Sequence, residues 1–271
     1  MLGARMHYAV PVILERAGLL RDFYTDISMK NKPWAERWFR IFPKNHWPTP
    51  LQRLYDRAID DIPAEKIISF DFLGMWYWWK RRYVRSANDL ITLYARAGQA
   101  FGERVVGHGL SGATVVYGFN GASLEIFRYA KQRGITCIQE QTLAPRKIEK
   151  ELLNEEIIHW TGWQPGLTLE DEASSDPLAE REEAEWALAD RIICGSAFVA
   201  EGLQSLGVKS KKCHVVPYGV DLQYFRPMAK SISRTPKCRS AISAQSCKPS
   251  SVKKKTRGFL CAATKPSIMA R

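Results

Sequence analysis

Three residues of this chain combine acid–base side chains with promising positions. His7, His108 and Glu140 stand at the ends of expected loops or strands, where α/β folds hold ligands. Imidazoles and carboxylates are the usual general acids and bases. Glu140 follows an expected strand at residues 135–139, which directs it toward a cleft at the carboxyl end. The alternative for each residue is a solvated loop position. Gly107, Gly109 and Gly112 match the GxGxxG spacing of a pyrophosphate cradle. A cradle must leave a strand and open a helix. This run leads into a strand instead and reads as a flexible turn. Ser196 stands between a strand and a helix, placed either to meet an anion with free amides or to serve as a plain N-cap. The six cysteines form no CxxC pair and no Cys/His cluster with metal-ligand spacing, so neither a metal site nor a cofactor is expected. Cys137 and Cys194 lie inside apolar runs and read as buried thiols, which suits a reducing compartment.

One segment carries binding chemistry of another kind. Between Phe70 and Arg85, an aromatic block that includes Trp76, Tyr77, Trp78 and Trp79 runs into Lys80, Arg81, Arg82 and Arg85. Trp and Tyr favour the bilayer interface and Lys and Arg favour anionic lipid, which describes a peripheral membrane contact. The alternative is a set of core or cleft aromatics followed by a solvated basic turn.

The elements that must position these residues alternate between short apolar strands and helical patterns, the mark of a parallel sheet built from βαβ units. A helix is expected at 8–17, ended by Gly18, and a strand at 23–27. Ser86 and Asp89 form a capping box that opens a helix to about residue 103. The clearest unit is a strand at 114–119, a helix at 122–133 capped by Asn120 and ended by Gly134, and a returning strand at 135–139. Helices at 147–159 and 178–189 flank a loop whose length suggests a function. A strand at 191–195, a helix from Ser196 to Gly207 and a strand at 214–217 complete the series. The expectation is one doubly wound, mostly parallel α/β domain over 1–227, with helices on both faces of its sheet.

Charge separates that domain from the remainder of the chain. The net charge is +12, but residues 1–227 are close to neutral. Residues 228–271 hold eleven Lys and Arg and no Asp or Glu. With no apolar periodicity, this tail is expected to be disordered. Three readings stay open for it: a basic arm for nucleic acid or anionic lipid, a flexible end without a partner, and out-of-frame translation. The near-neutral body argues against a specific nucleic-acid binder. The longest apolar run, 72–79, is too short to cross a bilayer, and the N-terminus lacks a signal-peptide pattern. A cytoplasmic protein is expected, at most peripheral to the membrane.

A longer pattern runs from Glu183 through Glu185, Trp186, Ala189, Asp190, Ser196, Phe198 and Val199. It continues through Leu203, Gly207, Pro217, Tyr218, Gly219, Val220, Asp221 and Phe225 to Pro227. It resembles the end of the N-terminal domain of family 4 retaining glycosyltransferases of the GT-B fold. Gly3, Arg5, Met6, His7, Tyr8 and Pro11, followed by Gly18, Tyr24, Thr25 and Asp26, resemble the start of a bacterial subgroup of that family. The resemblance implies a Rossmann-like, acceptor-side domain. The whole enzyme would move a sugar, with retention, from a nucleotide diphosphate donor to a glycan or lipid acceptor, as in polysaccharide biosynthesis. It also implies sites. His7 and Arg5, with Gly3, match the first loop near donor phosphate and acceptor. Gly219 and Asp221 match the interdomain turn, and Ser196 matches an amide-presenting junction. Glu140 loosely matches an acceptor-side loop residue, so Glu140 and His7 are the catalytic candidates. Two departures stand against the pattern. Only Met1 and Leu2 precede Gly3 where the family has a full strand, and the second domain with its Glu-x7-Glu pair is not found. Glu172 and Glu180 have that spacing without its context. This chain alone is therefore expected not to catalyse transfer. The rival expectation is a non-catalytic half-enzyme acting as a binding module.

Overall fold

The computed structural model describes residues 2–3, 5–30, 32, 52, 61–110, 112–160, 176–220 and 222. Most of the loop at 160–177 and the tail 228–271 lie outside the described residues. The chain divides into two compact units, Met1–Tyr218 and Gly219–Arg271. In the second, Gly219, Val220 and Leu222 are described, and none of them lies in a helix or strand.

The first unit is α/β, and its strands are parallel throughout. A 3-10 turn, Arg5–Tyr8, leads into α1 (Ala9–Arg16) and β1 (Phe23–Thr25). Next come β2 (Ile67–Ser69), α2 (Asp71–Arg81), α3 (Ala87–His108), β3 (Val115–Phe119), α4 (Leu124–Lys131) and β4 (Thr136–Gln141). The series closes with α5 (Arg146–His159), α6 (Pro177–Leu188), β5 (Arg191–Cys194), α7 (Ala197–Ser205) and β6 (Cys213–Val215). The strands form two sheets rather than the single one expected. β1 pairs with β2, and β3-β4-β5-β6 form a four-stranded sheet. The reason is local: among the described residues, no strand pairs with the outer edge of β1 or of β3 to join them.

Sequence explains most of the boundaries. The capping box is present: Ser86 Oγ accepts from the Asp89 N–H at 3.1 Å, and Asp89 Oδ2 accepts from the Ser86 N–H at 3.2 Å. The helix it opens runs to His108, five residues past the expected end, because nothing breaks it before Gly109 at φ 97°. Of the GxGxxG run, Gly107 lies in the last turn of α3, and Gly109 and Gly112 lie between α3 and β3. Gly98, in the middle of α3, serves a different purpose. A Cβ there would fall 1.9 Å from the Gly121 carbonyl oxygen, so only glycine lets α3 lie against the β3–α4 turn.

Two expectations need correction. Asn120 does not cap α4. Ser123 occupies the N-cap position without a side-chain cap bond, and α4 is shorter than expected. Glu140 does not follow β4 but lies within it, one residue beyond the expected end at Gln139, and the strand runs on to Gln141. Polar Gln139, Glu140 and Gln141 continue the strand because each finds a buried hydrogen-bond partner.

The main core lies against one face of the larger sheet. Phe127 of α4, Cys137 of β4, Ile192 and Cys194 of β5, and Leu203 of α7 are fully buried together, with Trp186 of α6 beside them. Burial of each large apolar side chain contributes about 1.5–3 kcal/mol. It also pushes the Cys137 thiol up to about 11 and the Cys194 thiol up to about 12, which makes both unreactive. Among the described residues, no helix is long and apolar enough to cross a membrane.

Candidate functional site at the carboxyl ends of the strands

Parallel strands send their carboxyl ends the same way, and β3, β4, β5 and β6 bring a polar cluster together there. In the β3–β4 register, Phe119 lies opposite Glu140 and Tyr117 opposite Ile138, so the Tyr117 and Glu140 side chains share a face. The Tyr117 hydroxyl donates to Glu140 Oε2 at 2.8 Å. Tyr218, just past β6, is a second hydrogen-bond partner of Glu140. Gly195 makes room for that ring: a Cβ there would fall 2.6 Å from Tyr218 Cζ. Glu140 is only 1 % exposed. Burial raises its carboxyl above the ordinary value, while the Tyr117 bond, the Arg5 charge and the Tyr218 bond pull it back. Burial likewise raises the hydroxyl of Tyr117, helped by the Glu140 charge.

Arg5 enters from the first turn. Its Nη1 donates to Asn120 Oδ1 at 2.7 Å, and its guanidinium lies 5.8 Å from the centre of the Phe119 ring. Burial lowers Arg5 against the opposing charges of Glu185, Glu182 and Glu140. The turn that carries Arg5 is fixed by Tyr8, whose backbone is left-handed at φ 63°, a rare state for a residue with a side chain. The Tyr8 ring is buried edge-on against Phe23, which holds it there.

Asn120 joins the two halves of the cluster. Its Oδ1 also accepts from Thr142 Oγ1 at 3.0 Å, and its Nδ2 donates to Glu182 Oε1 at 2.8 Å. Glu182 accepts as well from Gln141 Nε2 at 3.2 Å and from the Arg146 N–H at 2.9 Å. One helical turn later, Glu185 does the work of the missing cap. Its Oε2 takes the Gly121 N–H at 2.7 Å, and its Oε1 takes the N–H groups of Ser123 at 2.8 Å and Leu124 at 3.1 Å. Gln139 Nε2 adds a fourth donor at 3.2 Å. Burial still pushes Glu185 up to about 7, against those backbone bonds and the Arg181 charge. Glu182 is raised for the same reason. Three buried carboxyls thus surround Arg5, and they hold protons more tightly than carboxyls in water.

The sequence-derived candidates separate cleanly. Arg5 and Glu140 belong to the cluster. His7 lies in the same 3-10 turn as Arg5. Gly3 has φ 75°, with nothing near the position a Cβ would take. Ser196 caps α7, its Oγ 3.4 Å from the Val199 N–H, at the carboxyl end of β5. His108 closes α3 and lies 3.3 Å from the Tyr24 hydroxyl, outside the cluster. Gly219 belongs to the second unit, and Asp221 lies outside the described residues. The residues missed were Tyr117, Asn120, Glu182, Glu185 and Tyr218. A signal existed for two of them: Glu182 and Glu185 share the buried side of α6 with Ala179 and Trp186. A carboxylate on the apolar side of a helix demands a partner.

A groove of about 540 Å³ lies elsewhere, at the amino ends of β4 and β5, beside Thr136, Asp190, Arg191 and Lys212. Its acid is already engaged: Asp190 accepts the Cys137 N–H at 2.8 Å and pairs with Lys131. The carboxyl-end cluster therefore remains the better site. Among the described residues, no group of His, Cys, Asp and Glu is arranged to hold a metal ion. Comparison of the chain with protein-family models, curated proteins and solved structures found no match.

Proposed function

We propose that Met1–Tyr218 is the Rossmann-like, acceptor-side domain of a GT-B glycosyltransferase that moves a sugar from a nucleotide diphosphate donor to a glycan or lipid acceptor. One observation carries this reading. Two separate stretches that bear the family resemblance, one with Arg5 and one with Glu185 and Tyr218, converge on one cluster around Asn120, Gly121 and Glu140. Remote segments that share a sequence pattern and meet at strand ends are what a ligand site requires. In this reading Arg5 supplies positive charge beside the bound substrate. Glu140, whose buried carboxyl is raised above its ordinary value, lies behind Tyr218, and Tyr218 is the half-exposed group that faces the ligand. Ser196 and the α7 N-terminus offer amides to the donor phosphates.

A second reading, a binding module without chemistry, draws on the burial of Glu140, which leaves its carboxyl little access to a substrate. Saturation-transfer NMR on the full chain, with panels of nucleoside diphosphate sugars and of free and lipid-linked glycans, tests the site. Transfer to one of these classes, weakened at least tenfold by Arg5→Ala, is expected. No transfer to any compound, or transfer that Arg5→Ala leaves unchanged, would refute the proposal. Sugar transfer by the wild-type chain, lost in Glu140→Gln, would exclude the binding module.

A further inference from the structure

Helix α2 uses only one of its sides within the fold. Leu73 and Gly74 are buried, and Tyr77 lies 5.9 Å from the Tyr94 ring of α3. A Cβ on Gly74 would fall 2.9 Å from the Asp26 carbonyl oxygen, so this side lies flush on the segment after β1. The opposite side carries Phe72, Met75 and Trp79, at helical spacing that places them in one stripe, and Tyr83, in the turn after the helix, extends it through its contact with Trp79. All four are exposed, Phe72 by 85 % and Tyr83 by 65 %. Trp78 and Arg82 flank the stripe, with the Arg82 guanidinium 3.8 Å from the centre of the Trp78 ring. Lys80 lies 5.2 Å from the Trp79 ring, which in turn meets Tyr83 edge-on.

The charge on this surface has one sign. Lys80, Arg81, Arg82 and Arg85 occupy the carboxyl end of the helix and the turn after it, and no Asp or Glu occurs from Phe72 to Asn88. The one acid of α2, Asp71, pairs with Lys32 at 2.7 Å. An exposed apolar stripe of this kind marks an interaction surface. Its composition selects the partner. Trp and Tyr, with an apolar body and a polar edge, suit the headgroup layer. Phe72 and Met75 have no use for a phosphate backbone, which argues against nucleic acid. The cations answer anionic headgroups. At 11 residues α2 rises roughly 16 Å, about half the hydrocarbon thickness, so it can lie in the interface but not span it.

We infer that α2 is a membrane-surface anchor. It seats Phe72, Met75 and Trp79 at the boundary of headgroups and acyl chains of an anionic bilayer, with Lys80, Arg82 and Arg85 on lipid phosphates. This inference stands apart from the glycosyltransferase reading and needs no substrate.

The test is co-sedimentation of the full chain with phosphatidylcholine vesicles and with mixed phosphatidylcholine–phosphatidylglycerol vesicles, combined with quenching of tryptophan fluorescence by brominated lipid. Binding should require phosphatidylglycerol and should be accompanied by quenching. Lys80→Glu/Arg82→Glu/Arg85→Glu should weaken it at least tenfold. Phe72→Ser/Trp79→Ser should weaken it similarly and remove most of the quenching, with an unchanged circular dichroism spectrum. Lys253→Ala/Lys254→Ala/Lys255→Ala, in the basic tail, should leave the quenching in place. The inference fails if the wild-type chain does not bind anionic vesicles, or if the tail variant loses the quenching that the α2 variant keeps. It also fails if sedimentation velocity shows a dimer that Phe72→Ser/Trp79→Ser dissociates without any change in vesicle binding.

Discussion

Glu185 Oε2 accepts the backbone N–H of Gly121 at 2.7 Å, so a carboxylate on α6 closes the turn that opens α4. A residue more than sixty positions away replaces a local cap, and the same carboxylate packs beside Trp186 at the floor of the site. Glu185→Gln keeps the shape but turns an amide N–H₂ toward a backbone donor. It should cost about 1–3 kcal/mol, the usual cost of an unsatisfied buried group, as measured by denaturant unfolding.

The same residue sets a pH dependence. Its folded value, about 7, stands above its ordinary 4.5, so the native state binds an extra proton between them. That contribution is fully present below about 4.5 and is lost as pH rises through about 7. The loss is on the order of 3 kcal/mol at ~1.4 kcal/mol per pH unit. Burial raises Glu140 and Glu182 too, which adds in the same direction. Unfolding free energy should therefore fall from about pH 5 to about pH 8, with a flatter slope in Glu185→Gln. Stability that rises over this range would contradict the assignment.

Gly98→Ala should be among the most damaging single changes. The added Cβ meets the Gly121 carbonyl oxygen at 1.9 Å, and both atoms belong to packed backbone. A loss of roughly 3 kcal/mol, the upper range of overpacking, is expected in thermal or denaturant unfolding. Gly134→Ala, where nothing lies near the added carbon, should cost only about 1 kcal/mol for its left-handed backbone.

Tyr117→Phe isolates the hydroxyl's hold on the Glu140 carboxyl. The hydroxyl that it removes holds the carboxyl down, so the Glu140 value should rise further. Carbon-13 NMR of labelled glutamate side chains reads this directly, while stability should change by only about 1 kcal/mol. A Glu140 value that falls or stays fixed would show that the tyrosine does not control it.

Most strands and helices were legible because they rest on local signals: the Ser86–Asp89 box, the apolar residues 192–194, and Gly134 after α4. The three-residue β2 and the helix α2 were not anticipated. The break between β1 and β3 was not, because strand pairing is decided by what lies alongside in space. Nor was the role of Asn120, which has the composition of a cap but forms bonds instead to Arg5, Thr142 and Glu182. Arg5 and Glu140 were found from position and resemblance. Tyr117 and Tyr218 were not, since the β3–β4 register brings Tyr117 to Glu140 and only the fold of the chain past β6 brings Tyr218 there.

The central claim is that ligand binds at the carboxyl ends of β3 to β6. Backbone amide chemical-shift mapping of the full chain, titrated with nucleoside diphosphate sugars and with acceptor glycans, measures this most directly. Shifts should concentrate at Arg5, Asn120, Ser196 and Tyr218, and should be lost in Arg5→Ala. Shifts concentrated instead at Thr136, Asp190 and Arg191, at the opposite end of the strands, would contradict the claim.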